Sequence, residues 1–311
     1  MSPAGGGDVP SSRMRVRGGS RPEAHPRRLA FAAWLAAHGL VGSRALFDAV
    51  GVRARHSFDD QLEEICALVR RGREHVTGTA AQLEEEGEVS MSLALHHFHS
   101  SSTSFRVRIA LNLKGLAYDL VPVTLRFANG DHDSTAWRVF NPQGNVPVLV
   151  DGDVRLSQSL AIIDYLDRKW PEPPLFPSGP AERALVWSTA LHIACEIQPL
   201  NNLRVERYLA TELGLDADAA KRWRRHWIAV GFDAVEKLIA CGAGRFAHGD
   251  QATALDCCLV PQVYNSQRPV VALQLGRWPT IARIYETCLA HPAFAAALPQ
   301  RQAGFVDIEE H

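Results

Sequence analysis

The sequence predicts a two-part fold, a small α/β domain followed by an all-helical domain, behind a leader of different character. Three observations carry that reading. Strand-like and helix-like apolar runs alternate between Met91 and Trp170. Five prolines (Pro171, Pro173, Pro174, Pro177 and Pro180) then crowd one stretch and mark a semi-rigid linker. Beyond them, apolar residues recur at helical spacing over roughly 181–210, 216–240, 254–268 and 278–298.

The leader is assigned to residues 1–90. Residues 1–28 are rich in Gly, Pro, Ser and Arg and cannot bury a core. Phe58, Leu62, Ile65, Cys66 and Val69 predict an amphipathic helix over 58–86, running into Glu84, Glu85 and Glu86. The leader carries no recognisable chemistry. It reads as a partner-binding appendage or, preferably, as sequence upstream of a start at Met91. Its longest apolar run, Leu29 to Val41, is broken by His38 and Gly39 and is short of the roughly 20 residues a membrane helix needs. A signal peptide is disfavoured by the distance from Met1 and by the lack of a clear cleavage site.

The α/β domain is assigned to 91–172. Leu93, Leu95 and Phe98 predict a first strand; Ser101 to Ser104 and the run Val107, Ile109, Ala110, Leu111, Leu113 predict a helix, with Gly115 at its C-terminal cap. Tyr118 to Val123 is a second strand. A loop and a short helix lead to Asn141-Pro142 and to a third strand, Val146 to Val150. Asp151-Gly152 is read as a hairpin turn into a fourth strand ending near Leu156, and Leu160, Ile162, Ile163 and Leu166 mark a closing helix. The order β-α-β-α-β-β-α is the thioredoxin-like plan. The helical domain is assigned to 180–307.

Composition narrows the function. Formal net charge is -1, so no global field draws the chain to nucleic acid or membranes, and a small-molecule substrate or protein partner is expected. The six cysteines form no CxxC pair. They fit free thiols in a reducing cytoplasm better than a disulfide framework or a zinc site, and no metal is expected.

Four features carry candidate chemistry. The serine run stands at a helix N-terminus, where unpaired N–H groups and the helix dipole favour an anion. Redox proteins of this plan place a cysteine pair there. Hydroxyls cannot exchange disulfides, but they can donate to another molecule's thiolate; alone, they read better as an N-cap. At Val146-Pro147 a cis bond would leave the Val146 backbone free to pair with an extended peptide. Gln158-Ser159 opens the closing helix and could hold a carboxylate, with Asp164 one turn on as an anchor or a surface charge. Thr253 to Asp256 is a capping-box-like pattern and is read as structural.

Together these segments resemble the zeta class of glutathione transferases, specifically maleylacetoacetate isomerases, over about residues 91–307. The run Ser101-Ser102-Thr103-Ser104-Phe105-Arg106-Val107-Arg108-Ile109-Ala110-Leu111 is similar to the family's SSCxxRVRIAL. Asn141 to Pro147 and Gln158 to Ile163 match the other two glutathione-site segments. Gln198-Pro199-Leu200-Asn201-Asn202 and Asp256 to Val263 match in the helical domain. Thr103 stands where the family often has Cys, and Ser100 where it frequently has Arg.

The resemblance implies a glutathione transferase fold, glutathione as cofactor, a homodimer, and isomerisation of maleylacetoacetate to fumarylacetoacetate in tyrosine and phenylalanine breakdown. Ser101, Ser102, Thr103 and Arg106 are the implied catalytic residues. Ser101, Ser102, Gln143, Val146, Pro147, Gln158 and Ser159 are the implied glutathione contacts. Arg106, Arg204, Arg268 and Asn202 are the implied contacts to an anionic substrate; His99, by the strand end, could reach the site but reads better as a spectator. Maleylpyruvate isomerisation, transfer or dehalogenation of small α-halo acids, and a non-catalytic binding module remain as alternatives.

Overall fold

The computed structural model describes residues 93–126 and 130–305. The expectations for the leader, including the helix over 58–86 and the start at Met91, lie outside the described residues. The first half contains β1 (Leu93–His97), α1 (Ser102–Leu113), β2 (Tyr118–Pro122), α2 (Thr135–Phe140), β3 (Val148–Asp151), β4 (Val154–Ser157) and α3 (Ser159–Lys169). The second contains α4 (Pro180–Leu191), α5 (Leu203–Thr211), α6 (Ala217–Ile239), α7 (Ala254–Gln267), α8 (Pro279–Leu289) and α9 (Pro292–Ala297). The strands form one sheet in the order β2-β1-β3-β4, with β1 and β2 parallel and the other pairs antiparallel. This is the thioredoxin-like plan followed by helices.

Local chemistry sets the boundaries. Gly115 follows the α1 C-cap at φ +64°, a conformation that suits glycine. The third strand starts at Val148 rather than Val146, because Pro147 has no N–H to give a ladder. Asp151 pairs with Val154, so the two-residue hairpin loop is Gly152-Asp153, with Gly152 at φ +58°. The helical run expected over 181–210 is interrupted by a π-helical segment, His192–Ile197, and a 3₁₀ turn, Gln198–Asn201. Pro199 in that turn removes a helical donor. The run expected over 278–298 divides at His291, whose ring accepts the Ala293 N–H at the start of α9.

Helix α1 is the shared wall of the two halves. Eight successive residues, Ser104 to Leu111, are buried, which an amphipathic surface helix does not show. One side packs with α3 and the other with α7 and α9. A second cluster, Val123, Trp137, Phe140, Val146 and Val148, closes the α2 side of the sheet.

The proline linker is held from below by one buried ion pair. Lys114 Nζ meets Asp167 Oδ1 at 2.7 Å with its side chain 0% exposed. It also donates to the carbonyls of Trp170 (2.7 Å) and Pro173 (2.6 Å). Asp167 Oδ1 in turn accepts the Leu175 N–H at 2.7 Å.

Candidate active site

The site is built at the N-terminus of α1. Ser101 is the N-cap; its Oγ accepts the Ser104 N–H at 3.2 Å. The Thr103 hydroxyl donates to the Val146 carbonyl at 2.9 Å, and Ser101 Oγ lies 2.9 Å from Thr103 Oγ1. Thr103 has a single hydroxyl hydrogen, and Val146 takes it, so Ser101 is the donor of the second bond. Ser101 can redirect that hydrogen to an incoming anion, and the Ser102 hydroxyl makes no hydrogen bond among the described residues. The Thr103 hydroxyl thus donates to the Val146 backbone in this structure.

Val146-Pro147 is a cis peptide. Asn141 braces the loop before it, donating from Nδ2 to the Asn145 carbonyl at 2.7 Å. Gln143 and Gln158 meet side chain to side chain, Nε2 of Gln158 donating to Oε1 of Gln143 at 2.6 Å. Gln158 has φ 73°, uncommon for a residue with a side chain, and it immediately precedes the first residue of α3, Ser159. The backbone thus turns abruptly where the helix N–H groups begin.

Arg106 is 1% exposed, and its Nη1 donates to Ser159 Oγ at 3.4 Å. The side chain expected to meet the substrate is therefore buried, with Ser159 as its hydrogen-bond partner among the described residues. Asn202 is the N-cap of α5, and its Oδ1 accepts the Arg204 N–H at 3.2 Å. Arg204 is exposed on α5. Arg268 caps α7, donates to Asn265 Oδ1 at 3.5 Å, and its charge is felt at His99.

His99 sits on the loop between β1 and α1, with Nδ1 2.7 Å from Ser100 Oγ and Phe305 against its ring. Burial, then the charges of Arg108 and Arg268, lower its pKa from the ordinary histidine value. Sequence reasoning gave Arg108 no part, yet Arg108 fixes this loop. It is fully buried and donates to the carbonyls of Ala297 (3.0 Å), Phe98 (3.4 Å) and His99 (3.0 Å), and it lies 3.2 Å from His97 Nδ1. A signal existed: an arginine between Val107 and Ile109, where neighbours on both sides are apolar. The buried thiols of Cys257, Cys258 and Cys288 are pushed up by burial and are poor nucleophiles. Among the described residues no cluster of metal-ligating side chains occurs, and no helix is long and apolar enough to cross a membrane.

A thioredoxin-like domain with hydroxyls at the α1 N-terminus, a cis-proline loop and a fused helical domain defines a glutathione transferase architecture. Residues 95–174 match the family model described as the glutathione S-transferase N-terminal domain. The chain is 42% identical over 211 residues to the maleylacetoacetate isomerase of Pseudomonas aeruginosa, covering 68% of this chain and 97% of that one. A holo structure of a maleylpyruvate isomerase, described as a bacterial zeta-class glutathione S-transferase, superposes with TM-score 0.65 at 39% identity, covering 68% of this chain and all of that one. The maleylacetoacetate isomerase of Anaeromyxobacter dehalogenans, solved with glutathione in its active site, gives TM-score 0.61 at 39% identity over 70% of this chain and 99% of that one. The chain belongs to the zeta class of the glutathione S-transferase family, the class that contains these isomerases.

Proposed function

We propose that the protein is a glutathione-dependent cis–trans isomerase that converts maleylacetoacetate to fumarylacetoacetate. The observation that carries this reading is the pair of donor hydroxyls, Ser101 and Ser102, at the α1 N-terminus beside the Val146 backbone and the Gln143–Gln158–Ser159 cluster. Glutathione fits this cradle. Val146 next to Pro147 would hold its cysteinyl backbone, Ser159 and the α3 N–H groups its γ-glutamyl carboxylate, and Ser101 and Ser102 its sulfur.

The residues supply acidity and orientation. A free thiol has a pKa of about 8.5, and hydroxyl donors at a helix N-terminus favour the thiolate. Bound glutathione would supply a thiolate for reversible addition to the alkene conjugated to the carbonyl, which lets the former double bond rotate before elimination returns glutathione unchanged. Arg268, whose charge is felt at His99, supplies the cation for the substrate's negative charge. The protein acts in the cytoplasm as a homodimer, in tyrosine and phenylalanine breakdown.

The test is consumption of maleylacetone by the purified full chain, with and without glutathione. Loss of the cis-enedione that requires glutathione without consuming it supports the isomerase; stoichiometric consumption of glutathione makes the protein a transferase or dehalogenase instead. Similarity to a maleylpyruvate isomerase supports a second reading, maleylpyruvate as substrate. The ratio of kcat/KM for the two keto acids decides between them.

A further inference from the structure

The Arg106 guanidinium is an unusual object in this fold. It is 1% exposed, it forms no ion pair with a carboxylate among the described residues, and its Nε and Nη2 have no hydrogen-bond partner. Burying a cation without an anion is costly, so negative charge brought near this one is favoured. Among the described residues the only side chain it touches by hydrogen bond is Ser159, at 3.4 Å through Nη1. Ser159 is the first residue of the 11-residue helix α3, and the backbone enters that helix through the strained Gln158. A buried cation, one hydroxyl and a helix N-terminus therefore lie in line, and each favours negative charge on the cleft side of Ser159.

We propose that Arg106 is a positioning residue for the α-carboxylate of the γ-glutamyl group, acting through Ser159 without touching the ligand. The inference rests on the glutathione reading above. Arg106 has donors and no acceptor, so it occupies a lone pair of Ser159 Oγ and turns the Ser159 hydrogen outward. A carboxylate that accepts this hydrogen relieves the uncompensated charge behind it. Because Arg106 and Ser102 share α1 one helical turn apart, the same helix orients both the carboxylate end and the sulfur end of the cofactor.

The experiment compares two peptides: glutathione, and the analogue in which 4-aminobutyryl replaces γ-glutamyl, so that only the α-carboxylate is missing. Calorimetric Kd values for both are measured with the full-length wild type and with Arg106→Gln. The carboxylate preference, the ratio of the two Kd values, is expected to fall about tenfold in the variant, while affinity for the analogue stays within about threefold. Equal weakening of both peptides overturns the inference and leaves Arg106 a merely structural residue. A wild type that binds neither peptide overturns the glutathione reading and this inference with it. Should Arg106→Gln fail to fold, Arg106→Lys decides: it keeps the charge but loses the planar fork, and its preference is expected to fall at least about threefold. An unchanged preference in Arg106→Lys overturns the proposal.

Discussion

Replacing Thr103 with valine is expected to weaken glutathione binding while leaving the acidity of the bound thiol alone. The Thr103 hydroxyl is 2.9 Å from the Val146 carbonyl oxygen, and its one hydrogen is spent there. Valine keeps the shape and removes that bond. A neutral hydrogen bond contributes about 0.5–1.5 kcal/mol net, so Kd for glutathione should rise roughly twofold to tenfold as the Val146 backbone loses its brace. A donor to the thiolate itself contributes about 1.5–3 kcal/mol, equivalent to about one to two pKa units on the thiol. The ultraviolet absorbance of the enzyme-bound thiolate, followed against pH, reads this difference directly. Thr103→Val should titrate within a few tenths of a unit of the wild type, whereas Ser101→Ala or Ser102→Ala should titrate higher by about a unit. A Thr103→Val thiol raised by about a full unit would refute the hydrogen-bond assignment and return Thr103 to the sulfur.

Other outcomes follow from the same geometry. Asp167→Asn leaves the buried Lys114 ammonium without its carboxylate and should lower stability by about 3 kcal/mol in denaturant unfolding; a change under about 1 kcal/mol would show that the linker carbonyls suffice. His97 is buried beside Arg108, and burial first, with that charge second, lowers its pKa to about 4. Its folded pKa lies below its unfolded value, so the unfolded chain binds the extra proton between pH 6.5 and 4. The stability that His97 contributes is present above pH 6.5 and shrinks as pH falls, by about 2 kcal/mol at pH 5, and a His97→Gln variant should lose that part of the slope. Arg268→Gln should raise the His99 pKa, since the Arg268 charge is one of those that lower it; an unmoved His99 resonance in an NMR titration would place Arg268 away from the cleft.

The path of the chain was legible where periodicity and punctuation agree. The order of strands and helices, the glycine beyond α1 and the capping box at Thr253 followed from residue pattern, and Asp256 accepts the Thr253 N–H at 2.8 Å as that box requires. The break within 181–210 was not read, although Pro199 marks it, because apolar spacing on either side continues at nearly the same period. The site was legible as segments and not as contacts. Nothing in the run Ser101 to Ser104 says which hydroxyl is committed, since that depends on Val146, 43 residues away from Thr103. Arg106 and Arg108 are identical in sequence terms, yet one backs Ser159 and the other ties the β1–α1 loop to α9. Only the neighbours supplied by α3 and α9 separate their roles.

The burial of α1 from both sides also governs how the molecule comes apart. Phe105, Val107, Ile109 and Leu111 are buried in a helix packed on α3 of the first half and on α7 and α9 of the second. Neither half can shed the other without wetting these residues, so the described residues should melt in a single cooperative transition, and the α/β half expressed alone should aggregate. Lesions far from the cleft, in α7 or α9, would then reach the serines by loosening their supporting helix, and would register as lost thermal stability before any change at the chemical step.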